Sequence, residues 1–95
     1  MASNIWERRK EPRVNVRFSA LLHWLSEDGK EITEATFTTS ISNSGASLLT
    51  NRKPPVGKRI NVTLDIEGQR GSSAAEVKWA GAAPDGFEIG ISFNG

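Results

Sequence analysis

Two arginines four residues apart, Arg9 and Arg13, lie in the run Glu7-Arg8-Arg9-Lys10-Glu11-Pro12-Arg13-Val14, just ahead of the first alternating apolar stretch. Further along comes Ser40-Ile41-Ser42-Asn43-Ser44-Gly45. A guanidinium is a planar, permanently charged fork. It matches phosphate oxygens, and it matches the O6 and N7 acceptors of guanine, the commonest specific base contact proteins make. The serine segment supplies hydroxyls and a tight turn able to grip a polar ligand. Taken alone, a short charge run is more often a hydrated tail, and Ser-x-Ser-x-Ser-Gly is ordinary strand-end chemistry. Together they describe a binding site and not a reaction centre.

Catalytic and metal readings find little support. Cysteine is absent, which excludes disulfide and thiolate chemistry. His23 is the lone histidine, and it shares a strand face with Arg17, so a surface histidine is expected and no metal site. No Ser–His–acid spacing points to a nucleophile. No catalytic residue is assigned.

The residues that must position the two segments alternate with a period of two. Val14, Val16, Phe18, Ala20, Leu22 and Trp24 share one face, and Ala35, Phe37 and Ile41 another. Ile60, Val62, Leu64 and Ile66 follow, then Ala75, Val77 and Trp79, and finally Phe87, Ile89, Ile91 and Phe93. Each reads as a strand buried on one side. A short strand over about 46–50 follows the Gly45 turn. Asp28-Gly29, Gly68 with Gly71, and Asp85-Gly86 mark hairpins, and Pro54-Pro55-Val56-Gly57 a longer loop. No segment carries a helical period. Six antiparallel strands in a chain of 95 residues close most economically into a β-barrel. The expected organisation is an irregular basic arm over residues 1–13 and a single barrel domain over 14–95. The parity places Ser40 and Ser42 on the outer wall, with Ile41 inside, and puts Trp24 and Trp79 in the core.

Net charge is only +1, which disfavours a dedicated duplex-DNA binder. Residues 1–20 hold Arg8, Arg9, Lys10, Arg13 and Arg17 against Glu7 and Glu11, a net +3, so the remainder carries −2. Binding of single-stranded nucleic acid would need outward aromatics, which the parity does not provide. No apolar run approaches the ~18–20 residues of a membrane span. A cytoplasmic domain with no membrane and no nucleic-acid partner is expected.

In this order, on this strand pattern, the segments resemble the PilZ domain, a bacterial receptor module for cyclic di-GMP. That family carries Arg-x-x-x-Arg before its first strand and Asp/Asn-x-Ser-x-x-Gly at the end of its second. Arg9-Lys10-Glu11-Pro12-Arg13 matches the first motif, with Arg8 extending it; Ser42 and Gly45 match the second. Val77-Lys78-Trp79 and Phe87-Glu88-Ile89-Gly90-Ile91-Ser92-Phe93 resemble the last two strands. The resemblance implies a six-stranded antiparallel barrel of PilZ type. It also implies a non-enzymatic binder of cyclic di-GMP with no cofactor, acting through a downstream protein partner. The ligand-binding set it implies is Arg8, Arg9, Arg13, Ser40, Ser42 and Gly45.

One position departs from the pattern: Ser40 stands where the family has Asp or Asn. Serine cannot accept bidentately from the N1–H and N2–H pair of guanine, a loss on the order of 1.5–3 kcal/mol. The alternative is therefore an interaction adaptor of the same fold in which nucleotide binding is weakened or lost.

Overall fold

The computed structural model describes residues 13–93. Six strands follow one another: β1 (Ser19–Leu25), β2 (Glu31–Ile41), β3 (Gly45–Thr50), β4 (Arg59–Ile66), β5 (Gln69–Ala83) and β6 (Gly86–Ser92). They close into a barrel in the order β1-β2-β3-β6-β5-β4, with every pairing antiparallel. Closure removes the unpaired edges that six one-faced strands would otherwise expose. The interior is filled by Leu22, Trp24, Leu48, Val62, Val77 and Ile89 with smaller neighbours, all buried.

Turn chemistry follows the sequence closely. Glu67 and Gly68 both adopt positive φ in the two-residue connection between β4 and β5, the geometry that matches strand twist in a tight hairpin. Gly71 lies within β5, opposite Leu64, and is not part of that turn. β5 is much longer than its apolar residues suggested, because Gln69–Ala74 pairs with β4 while carrying few apolar side chains.

Three departures from simple alternation shape the outer wall. The first strand begins at Ser19, and Val14 is 52% exposed. Residues 14–18 instead run beside β2, joined by reciprocal Val14–Ile41 backbone hydrogen bonds of 2.9 Å. The second departure is a register shift between Thr38 and Ser40. Ahead of it Ala20 faces Thr36 and Leu22 faces Glu34, so the even residues of β2 point inward and Ala35 and Phe37 outward, opposite to expectation. Beyond it Ser40 opposes Ser47 and Ile41 opposes Ala46, which returns Ile41 to the core and Ser40 to the wall as expected. The third is a shift between Val77 and Trp79 on β5. Val77 is fully buried, whereas Trp79 is 43% exposed on the outer wall and not in the core. A bulge adds one residue on one strand, and with a side-chain period of two that reverses the face of every later residue.

Candidate functional site

The register aligns one row across the outer wall. Ser40 on β2 opposes Ser47 on β3, Ser47 opposes Gly90 on β6, and Gly90 opposes Trp79 on β5. Directly opposed residues lie on one face within side-chain reach, so these four form a continuous strip.

Arg13 enters the strip from the leader. Its Nη1 donates to Ser40 Oγ at 3.0 Å and to Ser47 Oγ at 3.4 Å. Ser40 is only 8% exposed although it faces outward. Arg13 itself is exposed, and one guanidinium edge engages the serines. The root of the leader is clipped by Thr38, which is fully buried. Its hydroxyl donates to the Val16 carbonyl at 2.7 Å and accepts from the Phe18 N–H at 2.9 Å. An apolar side chain of the same shape would leave both backbone groups unmet. Beside it the Arg17 guanidinium stacks 4.3 Å from the centre of the Phe37 ring. This pair exists because β2 turns Phe37 outward, and cation–π contact is favourable there.

At the other end of the strip the Trp79 indole lies over Gly90. A Cβ built on Gly90 would come within 2.1 Å of Trp79 Nε1, so only glycine admits the ring at this position. The indole is half open to solvent and lies in the same row as two hydroxyls and a cation. Aromatic planes in such settings stack planar ligands.

Ser42, Gly45 and their turn sit just beyond Ser40. Ser42 N–H donates to the Gly45 carbonyl at 2.9 Å, and the Ser42 hydroxyl reaches the same carbonyl at 3.4 Å. Gly45 is buried, and a Cβ there would meet the Ile91 carbonyl oxygen at 2.2 Å. Glycine at this position is thus required by the close approach of β3 to β6. One row from the strip, the Thr39 hydroxyl donates to Glu88 Oε2 at 3.0 Å.

The structure therefore brings Arg13, Ser40 and, one turn away, Ser42 and Gly45 to one corner of the wall. Arg8 and Arg9 lie outside the described residues, as do Ile5 and Trp6. Ser47, Trp79, Gly90, Thr38 and Glu88 were not identified as site residues from sequence. The Trp79 signal was present in the chain, but simple alternation placed the residue inside.

The remaining chemistry is sparse. Among the described residues no three His, Asp or Glu side chains converge as a metal site. His23 Nε2 lies 3.7 Å from Glu31 on the surface. A separate depression is lined by Glu34, Thr36, Phe37, Thr50 and Phe87 and has no cation in its lining. No helix among the described residues is long and apolar enough to cross a membrane.

Comparison with known proteins agrees with this architecture. A search of curated proteins finds no match. Among solved structures, the inhibitor of motility MotI/DgrA of Bacillus subtilis superposes with a TM-score of 0.70 at 16% sequence identity. The match covers 90% of this chain and 42% of that one, so the chain spans less than half the length of that protein. The similarity is one of fold. The family model for the PilZ domain matches residues 7–95, from the arginine leader through the last strand, and the chain belongs to the PilZ domain family.

Proposed function

We propose that this domain is a non-enzymatic receptor for cyclic di-GMP that holds the dinucleotide on its outer wall. PilZ domains form a family of cyclic di-GMP receptor modules, and the reading for this chain stands on one observation. The Arg13 guanidinium is seated on the Ser40 and Ser47 hydroxyls, in the same strip as the exposed Trp79 indole. A cationic fork, two hydroxyls and an aromatic plane are the groups that a phosphorylated purine satisfies.

In this reading Arg13 takes a guanine Hoogsteen edge or a phosphate, and Trp79 stacks the base. Ser40 and Ser42 add hydrogen bonds, while Gly45 preserves the corner. Arg8 and Arg9 bring further forks from the same leader, so that ligand uptake draws the arginine arm over the wall. The covered surface then differs from the free one, and a partner protein reads that difference.

Isothermal titration calorimetry with cyclic di-GMP tests the proposal. Saturable heat that Arg13→Ala abolishes is expected. Absence of heat at ligand concentrations on the order of tens of micromolar would overturn it and leave the nucleotide-independent adaptor. The presence of Ser40 at the family's acidic position favours that second reading.

A further inference from the structure

We propose that Glu88 supplies the acceptor fork that reads the N1–H and N2–H donors of guanine on this wall; the inference rests on the receptor reading above. Ile89 and Ile91 are buried, so alternation along β6 turns Glu88 and Gly90 outward together. Glu88 opposes Leu49 on β3 and Gly81 on β5, one row from the strip formed by Ser40, Ser47, Gly90 and Trp79. The Thr39 hydroxyl donates to Oε2 at 3.0 Å and draws the carboxylate across β3 toward the residue next to Ser40. Oε1 accepts no hydrogen bond from any described residue. A Cβ at Gly81 would meet nothing within 4 Å, so the space beside Glu88 is open to a flat base.

The chemistry of the base requires such a group. Guanine presents acceptors at O6 and N7, which an arginine satisfies, and adjacent donors at N1 and N2, which an arginine cannot, having no acceptor. A serine hydroxyl offers a single, uncharged acceptor oxygen, whereas a carboxylate offers two charged oxygens side by side that match two parallel N–H donors. Glu76 on β5 lies one row from the strip on its opposite side, in the row of Ser92 and Gly45, and is ion-paired with Lys78 at 3.5 Å. Glu88 flanks the Arg13, Ser47 and Trp79 strip from the side of Thr39 and is held there by a hydroxyl, not by a cation. A carboxylate also repels phosphate, so it sets the orientation of the ligand. The base lies over Glu88 and the phosphates lie toward Arg13.

The test is calorimetry with two ligands, cyclic di-GMP and its di-inosine analogue, which lacks only the 2-amino groups. The parent chain should prefer the guanine ligand. Glu88→Gln replaces one acceptor oxygen with a donor; it should weaken cyclic di-GMP about tenfold or more and narrow the preference over the analogue. Thr39→Val releases the carboxylate and should shift the same ratio in the same direction by less. Because the preference is a ratio within each variant, a change in stability does not imitate it. If Glu88→Gln keeps both the affinity and the preference of the parent while Arg13→Ala loses binding, the receptor reading stands and the Glu88 assignment falls. If the parent takes up neither ligand, both fall.

Discussion

The Trp79 indole rests on Gly90 so closely that a single added methyl would sit 2.1 Å from Nε1. The glycine therefore sets where the ring plane lies, and Trp79 stays 43% exposed, which under the proposed function is the surface on which a base stacks. Trp79→Ala should cost about 1–3 kcal/mol of binding free energy, the range of a base stacked on an aromatic. Its effect on the unfolding midpoint should be small by comparison. Gly90→Ala should lower affinity in the same way by lifting the ring, with its tryptophan fluorescence shifted from the parent's even before ligand is added. Equal affinities in all three chains, measured by calorimetry, would remove Trp79 from the site.

Ser40 is the natural place to restore the family's acid. It lies 3.0 Å from Arg13 Nη1 and opposes Ser47 across the ladder. Ser40→Asp adds a second acceptor fork next to the base, and cyclic di-GMP affinity should rise about tenfold. An affinity that falls would mean that the new carboxylate captures Arg13 and withholds it from the ligand.

Thr38 ties the leader to the barrel. Its buried hydroxyl serves the Val16 carbonyl and the Phe18 amide at once. Thr38→Val keeps the shape and leaves both groups unmet, so urea denaturation should show a loss of roughly 1–3 kcal/mol. An unchanged midpoint would show that water satisfies the two groups.

Acid sensitivity is expected at the β1–β2 turn. The Ser26 hydroxyl, above all, holds the Asp28 carboxyl below its ordinary value of 3.8 by donating to it; desolvation opposes this, and the backbone amides of Asp28 and Lys30 add to it. A depressed carboxyl contributes stability at pH above its unfolded value of about 3.9, and that contribution is lost as pH falls through the lower folded value. Ser26→Ala should raise the Asp28 midpoint in a carboxyl-detected NMR titration. A midpoint that does not move would assign the shift to the backbone.

Much of the architecture was readable because burial on one side of a strand imposes a period of two. The inward sets on β4 and β6 follow from Ile60, Val62, Ile89 and Ile91, and the six strands and their antiparallel closure from the alternation and turn residues along the chain. Alternation failed ahead of β1, where Val14 is exposed beside β2, and at two bulges. The shift after Thr38 reversed the expected faces of Ala35 and Phe37, and the shift before Trp79 moved an aromatic from the expected core to the wall. A bulge inserts one backbone residue without changing composition, so the side-chain pattern does not announce it.

By itself the sequence determined the ingredients: a basic leader, a serine-bearing corner ending in glycine, and strands able to close a barrel. Residue types and local periodicity decide those. Only the tertiary structure decided that Arg13 lands on Ser40 and Ser47, and that Thr38 clips the leader. It also decided that Trp79 completes the same strip and that Glu88 flanks it. These contacts join strands far apart in the chain through closure order and register, which no local pattern encodes.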